Sequence, residues 1–394
     1  MLIRSGQMNY PIWREFPMKL IKIVFLLFLL LFQVVNVGAY DSKKNVHTEQ
    51  YTIILDRIPD DQQKVKRIFY WDNRIIMEAG NTFYRVDIKK LKALPVFCPG
   101  QRILQDLSNQ KENKYYALCR DESEFSLFTN RDADRNLMKL PERLDVEKDK
   151  VFLLSDENHL ILVTTRYIYR FINGYWKKVK YKQSPWMFGI DEDDHLIIFK
   201  DKIFIGHDFG EFGGGLVSLD INTGKWEKYF SDIPVTGLVI NSKGELWASQ
   251  GLAHGATIRG KLRVFNGEVW RVFSENEGSI FANEKGKYYL DVNKKNWPFD
   301  PMDFDSLTFD RNDNLFVLSG HYGILKYQNG DWVKWIKMTD DEYLYFSSFY
   351  VLNQKEILIG LPAGGLIVLN LTSKNFNRIS FGEVFGFWDN PPIR

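Results

Sequence analysis

Beyond residue 60 the chain is a succession of short apolar runs broken by polar turns. It shows no sustained helical period and no alternation of helices with strands. Each unit opens with an apolar strand, a polar turn and a second apolar strand. The turns read Ser155-Asp-Glu-Asn-His-Leu160, Asp191-Glu-Asp-Asp-His-Leu196, Asn241-Ser-Lys-Gly-Glu-Leu246, Asp310-Arg-Asn-Asp-Asn-Leu315 and Asn353-Gln-Lys-Glu-Ile-Leu358. Asn and Asp tolerate turn backbones and bond their own main chain, so this spacing predicts hairpins.

A third strand follows, and it ends in a second hairpin where the repeat is tightest. The copies are Tyr169-Arg-Phe-Ile-Asn-Gly-Tyr-Trp176, Ser218-Leu-Asp-Ile-Asn-Thr-Gly-Lys-Trp226, Arg263-Val-Phe-Asn-Gly-Glu-Val-Trp270 and Leu325-Lys-Tyr-Gln-Asn-Gly-Asp-Trp332. Asn-Gly supplies the positive φ that tight hairpins need, and the Trp opens a fourth strand. Leu366 to Phe376 is a weaker copy with Phe in the Trp position.

Four strands per unit at about 40–45 residues is the arithmetic of an all-β β-propeller of four-stranded antiparallel blades. Seven blades are expected, at 65–97, 103–141, 148–182, 185–230, 235–277, 278–337 and 343–381, and six or eight also fit. The turn glycines Gly174, Gly224, Gly267 and Gly330 stand 50, 43 and 63 residues apart. The last interval holds Gly278 to Pro298, which reads as a half-blade or an inserted hairpin. Residues 40–64 form an extension in which Tyr51 to Leu55 is a candidate ring-closing strand pairing with the last blade. Residues 382–394 are a tail.

The turn–Leu–strand, Gly-Leu strand, Gly-x-Trp rhythm over residues 148–381 resembles the propeller repeats of periplasmic sensor domains in two-component regulators. More loosely, it resembles NHL and Kelch blades. The resemblance implies a fold, and fold does not fix function. The Trp-Asp ending of WD40 blades and the sialidase box are missing.

Met18 to Lys22 is a short positive stretch followed by the apolar run Ile23 to Phe32, and Val37-Gly38-Ala39 ends it with small side chains. This is the layout of a signal peptide over residues 1–39, with Met18 a candidate true start. It implies a periplasmic or secreted protein with no membrane span once the signal is cleaved. The alternative is a chain anchored by the uncleaved segment.

Composition adds the aromatic weight expected of strands, 30 Phe, 19 Tyr and 11 Trp. Residues 1–39 carry four basic side chains and one acidic, leaving 48 basic and 49 acidic of the chain's 52 and 50. A mature net charge of −1 gives no case for nucleic acid. Cys98 and Cys119 are the only cysteines, an even count compatible with a disulfide in an exported chain.

His207, His254 and His321 each follow the second strand of a blade in a glycine-containing loop. Loops of that class share one propeller face, so the three imidazoles are candidate ligands of a divalent metal. Asp208, Glu211, Gln250, Arg259 and Tyr322 complete the candidate binding set. Asp191-Glu-Asp-Asp194 is read as a solvated turn rather than a calcium site, and His159 and His195 as structural residues at one repeat position. No catalytic constellation stands out. The leading expectation is a monomeric, non-enzymatic module binding a protein, glycan or small-molecule ligand through the loops of one face. The alternative is a metal- or His-dependent lyase or hydrolase with its site at the channel mouth.

Overall fold

The computed structural model describes Thr52–Ile53 and, with interruptions, Val65–Gly386; the expected signal segment lies outside the described residues. Apart from one 3-10 turn, the described secondary structure is strand. After β1 (Thr52–Ile53), the chain runs through antiparallel four-strand meanders, each contiguous in sequence.

Blade A holds β2 (Val65–Trp71), β3 (Arg74–Ala79), β4 (Thr82–Asp87) and β5 (Lys92–Phe97). Blade B holds β6 (Ile103–Gln110), β7 (Lys114–Arg120), β8 (Phe125–Arg131) and β9 (Asp134–Met138). Blade C follows with β10 (Phe152–Ser155), β11 (Leu160–Val163), β12 (Tyr167–Ile172) and β13 (Tyr175–Lys180). Blade D comprises β14 (His195–Phe199), β15 (Lys202–Asp208), β16 (Gly214–Asp220) and β17 (Trp226–Phe230). Blade E has β18 (Val235–Ile240), β19 (Leu246–His254), β20 (Thr257–Phe265), β21 (Trp270–Ala282) and an added β22 (Tyr288–Lys295). Blade F holds β23 (Ser306–Phe309), β24 (Leu315–Ser319), β25 (Gly323–Gln328) and β26 (Asp331–Met338). Blade G holds β27 (Ser348–Asn353), β28 (Glu356–Gly360), β29 (Leu366–Asn370) and β30 (Asn375–Phe381), and β31 (Phe385–Gly386) ends the described chain.

The first strands of successive blades adjoin one another, and β27 returns to β2. That circular order of inner strands defines the chain as a β-propeller. Cores lie between blades. Ile161, Val163, Ile168 and Val179 of blade C pack on Ile198, Ile203, Ile205 and Val217 of blade D. Between D and E, Phe199, Phe204 and Leu216 meet Leu246 and Phe265.

Local chemistry explains the hairpins. Asn173 and Gly174 have φ of 50° and 88°, and Asn329 and Gly330 have 55° and 89°, the paired positive values of a tight two-residue turn. In the first hairpins the Asp156, Asn241, Asp310 and Asn353 side chains each accept a main-chain N–H two residues on. The repeat tryptophans do more than open the outer strand. Trp176 Nε1 donates to the Lys139 carbonyl at 2.8 Å, and Trp226 Nε1 to that of Lys182 at 2.9 Å. Each indole thus fastens its blade to the chain leaving the preceding blade. Beside the first of these, Glu142 is held below the usual carboxylate range by hydrogen bonds from Lys178 and then Tyr169.

Several expectations need correction. Asp191 to Leu196 is not a first hairpin: it precedes β14, and blade D turns instead at Lys200–Asp201. His195 therefore opens an inner strand, whereas His159 closes a hairpin and bonds Asp156 through Nδ1 at 2.9 Å. The two histidines are not equivalent. Asp194 is not solvated either, since its side chain is 3% exposed.

The stretch from Gly278 belongs to two blades. β21 runs on to Ala282 and β22 pairs back along it, an inserted hairpin on blade E, and blade F begins only at Ser306. Finally, β1 does not pair with the last blade. Thr52 and Ile53 lie parallel to Lys337 and Met338 of β26. Ring closure instead brings Ser380–Phe381 and Phe385–Gly386 alongside β5, again in parallel. Cys98 and Cys119 form a disulfide, with Cα atoms 6.0 Å apart, tying the exit of blade A to the second strand of blade B.

Candidate functional site

In a four-strand meander the turns between second and third strands emerge on the same face as the blade-to-blade connections. Two neighbouring features distinguish that face. The first is blade E. From the row Gln250–Lys261–Glu275–Lys295 the paired strands continue past the body of the blade, to His254 and Thr257 on one hairpin and to Ala282 and Tyr288 on the other. At about 3.3 Å per residue, β21 projects about 23 Å beyond that row. The second is the turn of blade D, where Gly210–Phe212 forms a single 3-10 turn lying against β19.

The D turn is built by glycine. Gly213 has φ of 94°. At Gly214 a Cβ would stand 2.2 Å from the His207 carbonyl oxygen and 2.7 Å from the Pro234 Cα, so no larger residue fits. Asp208 is exposed and its Oδ1 accepts the Gly210 N–H at 2.8 Å. Phe212 at the tip is 87% exposed.

On blade E, β20 alternates so that Arg259, Lys261 and Arg263 share one side, the side toward blade D. Arg259 pairs with Glu277 at 2.7 Å and Lys261 with Glu275 at 3.0 Å. Arg263 lies over the Phe230 ring at 4.4 Å and donates to Gln250 Oε1 at 2.6 Å. The projection thus carries a cross-strand ladder of ion pairs on its side toward blade D, the blade whose turn bears the exposed Phe212 ring. Such a surface can hold a ligand by apolar contact at Phe212 and by charge along the ladder.

The residues expected from sequence are treated unequally. His207 is fully buried; its Nδ1 is 2.7 Å from Asp194 Oδ1, and its ring stacks on Phe209 at 5.4 Å. Gln250 is also fully buried, donating from Nε2 to the Ile233 carbonyl at 2.9 Å while accepting from Arg263. Both support the scaffold beneath the face. Asp208 and Arg259 stand on the face itself. Glu211 lies in the 3-10 turn and His254 ends β19, with their side chains outside the described residues. His321 and Tyr322 lie outside them entirely. Among the described residues no three His, Cys, Asp or Glu side chains are grouped as a metal requires. Sequence reasoning missed Phe212, although an aromatic set among glycines in Gly210-Glu-Phe-Gly-Gly-Gly215 is a loop-tip signal. The inserted hairpin expected at Gly278 is the tip of the projection, and the β-prone run from Trp270 to Ala282, about twice a blade strand, signals its length.

No family model matches the chain, and no curated protein matches it in sequence. Solved structures do resemble it. One is YCF48 from Cyanidioschyzon merolae, 10% identical with a TM-score of 0.48, covering 78% of this chain and 96% of that one. Another is a catalytically inactive virginiamycin B lyase from Staphylococcus aureus with quinupristin, 9% identical with a TM-score of 0.45, over 78% and 95%. A third is the extracellular domain of BT4673 from B. thetaiotaomicron, 10% identical with a TM-score of 0.32, over 82% and 60%. A lyase stands among them, and at such identities the likeness is one of fold alone. The chain is a β-propeller, and its activity has to be argued from its own residues.

Proposed function

We propose that the protein is an exported binding module that holds a protein, glycan or small ligand on the face carrying Phe212 and the blade E projection. The observation that carries this reading is the pairing of an 87% exposed aromatic ring with a strand projection found on one neighbouring blade. A solvent-exposed ring is costly unless something covers it, and covering a Phe contributes about 1.5–3 kcal/mol. The burial of His207 against Asp194 supports binding over the rival reading, a metal- or His-dependent lyase or hydrolase at the channel mouth. Export rests on Met18 to Ala39 and predicts a mature chain beginning at Tyr40.

The test is a peptide and glycan array screened with the purified mature chain, followed by calorimetry on the hits. Phe212→Ala should weaken a true ligand by about 10- to 100-fold, and Arg259→Ala should weaken it further. Hits unaffected by either change would sink this reading. Stoichiometric zinc, calcium or magnesium that disappears in a His207/His254/His321 triple alanine variant would favour the enzyme instead.

A further inference from the structure

A different surface, on the rim of blade C, has a pattern that the ligand face does not explain. β13 is the last strand of its sheet, hydrogen-bonded to β12 and to no other described strand. Its sequence and exit, Tyr175 to Lys182, place Lys177, Lys178, Lys180 and Lys182 in exposed positions, and Tyr175 is 61% exposed. Lys178 is engaged, bonded to Glu142 at 2.6 Å and lying 3.6 Å over the Tyr167 ring. Lys177, Lys180 and Lys182 have no ion pair among the described residues. The two faces of the strand are already occupied. Trp176 reaches the Lys139 carbonyl on one side, and the Gly224 turn of blade D packs against Tyr181 on the other. The same turn covers the Lys180 carbonyl, and the Lys182 carbonyl accepts the Trp226 indole, so the edge left open runs from Tyr175 to Val179.

Within this molecule, outer edges accept additional strands. β26 carries β1, and β5 carries the end of β30 and then β31, in both cases in parallel. Other rim strands lack the lysine run: β9 reads Asp-Arg-Asn-Leu-Met, and β17 mixes Glu227 with Lys228. Lysines on an edge repel basic strands and disfavour uncharged ones through the cost of desolvating the ammonium groups, and the same charges favour an acidic one.

We propose that the edge of β13 is a docking site for an acidic extended polypeptide, which adds to blade C as a fifth strand. Main-chain hydrogen bonds would supply affinity and the lysines selectivity, as in other strand-addition interfaces.

The experiment uses the mature protein and two nine-residue probes of alternating Glu and Val, identical except that one carries N-methyl groups on every second amide. The unmodified probe should bind. The N-methylated probe, unable to complete a ladder, should bind at least about tenfold more weakly. A Lys177→Glu/Lys180→Glu/Lys182→Glu variant, altered only at exposed positions and checked by circular dichroism, should lose at least about tenfold. A Lys225→Glu/Lys228→Glu variant on the rim of blade D should bind as the unaltered protein does. Equal binding of the two probes would reveal a general anion patch and overturn strand addition, as would heparin or anionic vesicles competing where the peptide fails. Undetectable binding of the unmodified probe, or binding retained in the triple variant, would overturn it as well.

Discussion

Removing the carboxylate that faces His207 tests whether this histidine belongs to the scaffold. The imidazole is fully buried, the Asp194 side chain is 3% exposed, and 2.7 Å separates Nδ1 from Oδ1. A hydrogen bond to a charged group contributes about 1.5–3 kcal/mol, and a buried polar group deprived of its partner costs about 1–3 kcal/mol more. Asp194→Ala should therefore destabilise the protein by about 3–5 kcal/mol, in line with the loss of one member of a buried pair. Asp194→Asn keeps the volume and an acceptor oxygen, and should cost about 1–2 kcal/mol. Urea unfolding followed by tryptophan fluorescence measures both. Adding His207→Ala completes a double-mutant cycle, whose coupling should exceed about 1.5 kcal/mol. If Asp194→Ala unfolds within about 1 kcal/mol of the unaltered protein, or the cycle shows no coupling, the scaffold role is wrong and His207 is again open as a ligand.

Two further outcomes follow from the geometry. Gly214→Ala places a methyl 2.2 Å from the His207 carbonyl, against backbone on both sides, and should destabilise by more than about 2 kcal/mol. Gly174→Ala, with open space around it and only a positive φ to strain, should cost about 1 kcal/mol; comparable thermal midpoints for the two variants would contradict this. Replacing Cys98 and Cys119 together by Ala opens a loop of 21 residues' separation and should cost about 3 kcal/mol, a loss that reductant reproduces in the unaltered protein. Insensitivity of the urea midpoint to reductant would refute it.

The parts of the fold legible in sequence are those that depend on a few consecutive residues. Asn173-Gly174 and Asn329-Gly330 announce their hairpins because only such residues adopt positive φ cheaply. Asp310 and Asn241 announce theirs because a short carboxylate or amide can bond the next main-chain N–H groups. The errors arise where the same local chemistry serves another place in the fold. Asp191 to Leu196 has the composition of a first hairpin but lies before an inner strand, and Asp194 turns inward because His207, thirteen residues on, receives it. Whether Gly278 to Lys295 forms a new blade or lengthens an old one depends on what β21 pairs with. The parallel contacts of β1 and β31, two residues each, have no periodicity to announce them. Asp208 and Arg259, expected from their loops, lie on the face that carries the D turn and the projection. Burial of His207 and Gln250 was not legible, because a register of inter-blade contacts decides it.

The closing of the ring has a kinetic consequence. Every blade is contiguous in sequence, so its hairpins form between near neighbours and contact order within a blade is low. The exceptions are the contacts of the two chain ends: β1 on blade F, β27 against β2, and Ser380–Phe381 with Phe385–Gly386 along β5. These unite residues far apart in the chain; the loop-closure entropy of the first is met once blade F exists, and that of the others only after blade G does. Blade formation can thus follow the chain in order as it emerges, with circularisation left as the slow, final step. Until then the outer edge of β5 stands open, as that of β26 does until β1 pairs with it, and covering both removes the free ladders through which two molecules could pair edge to edge.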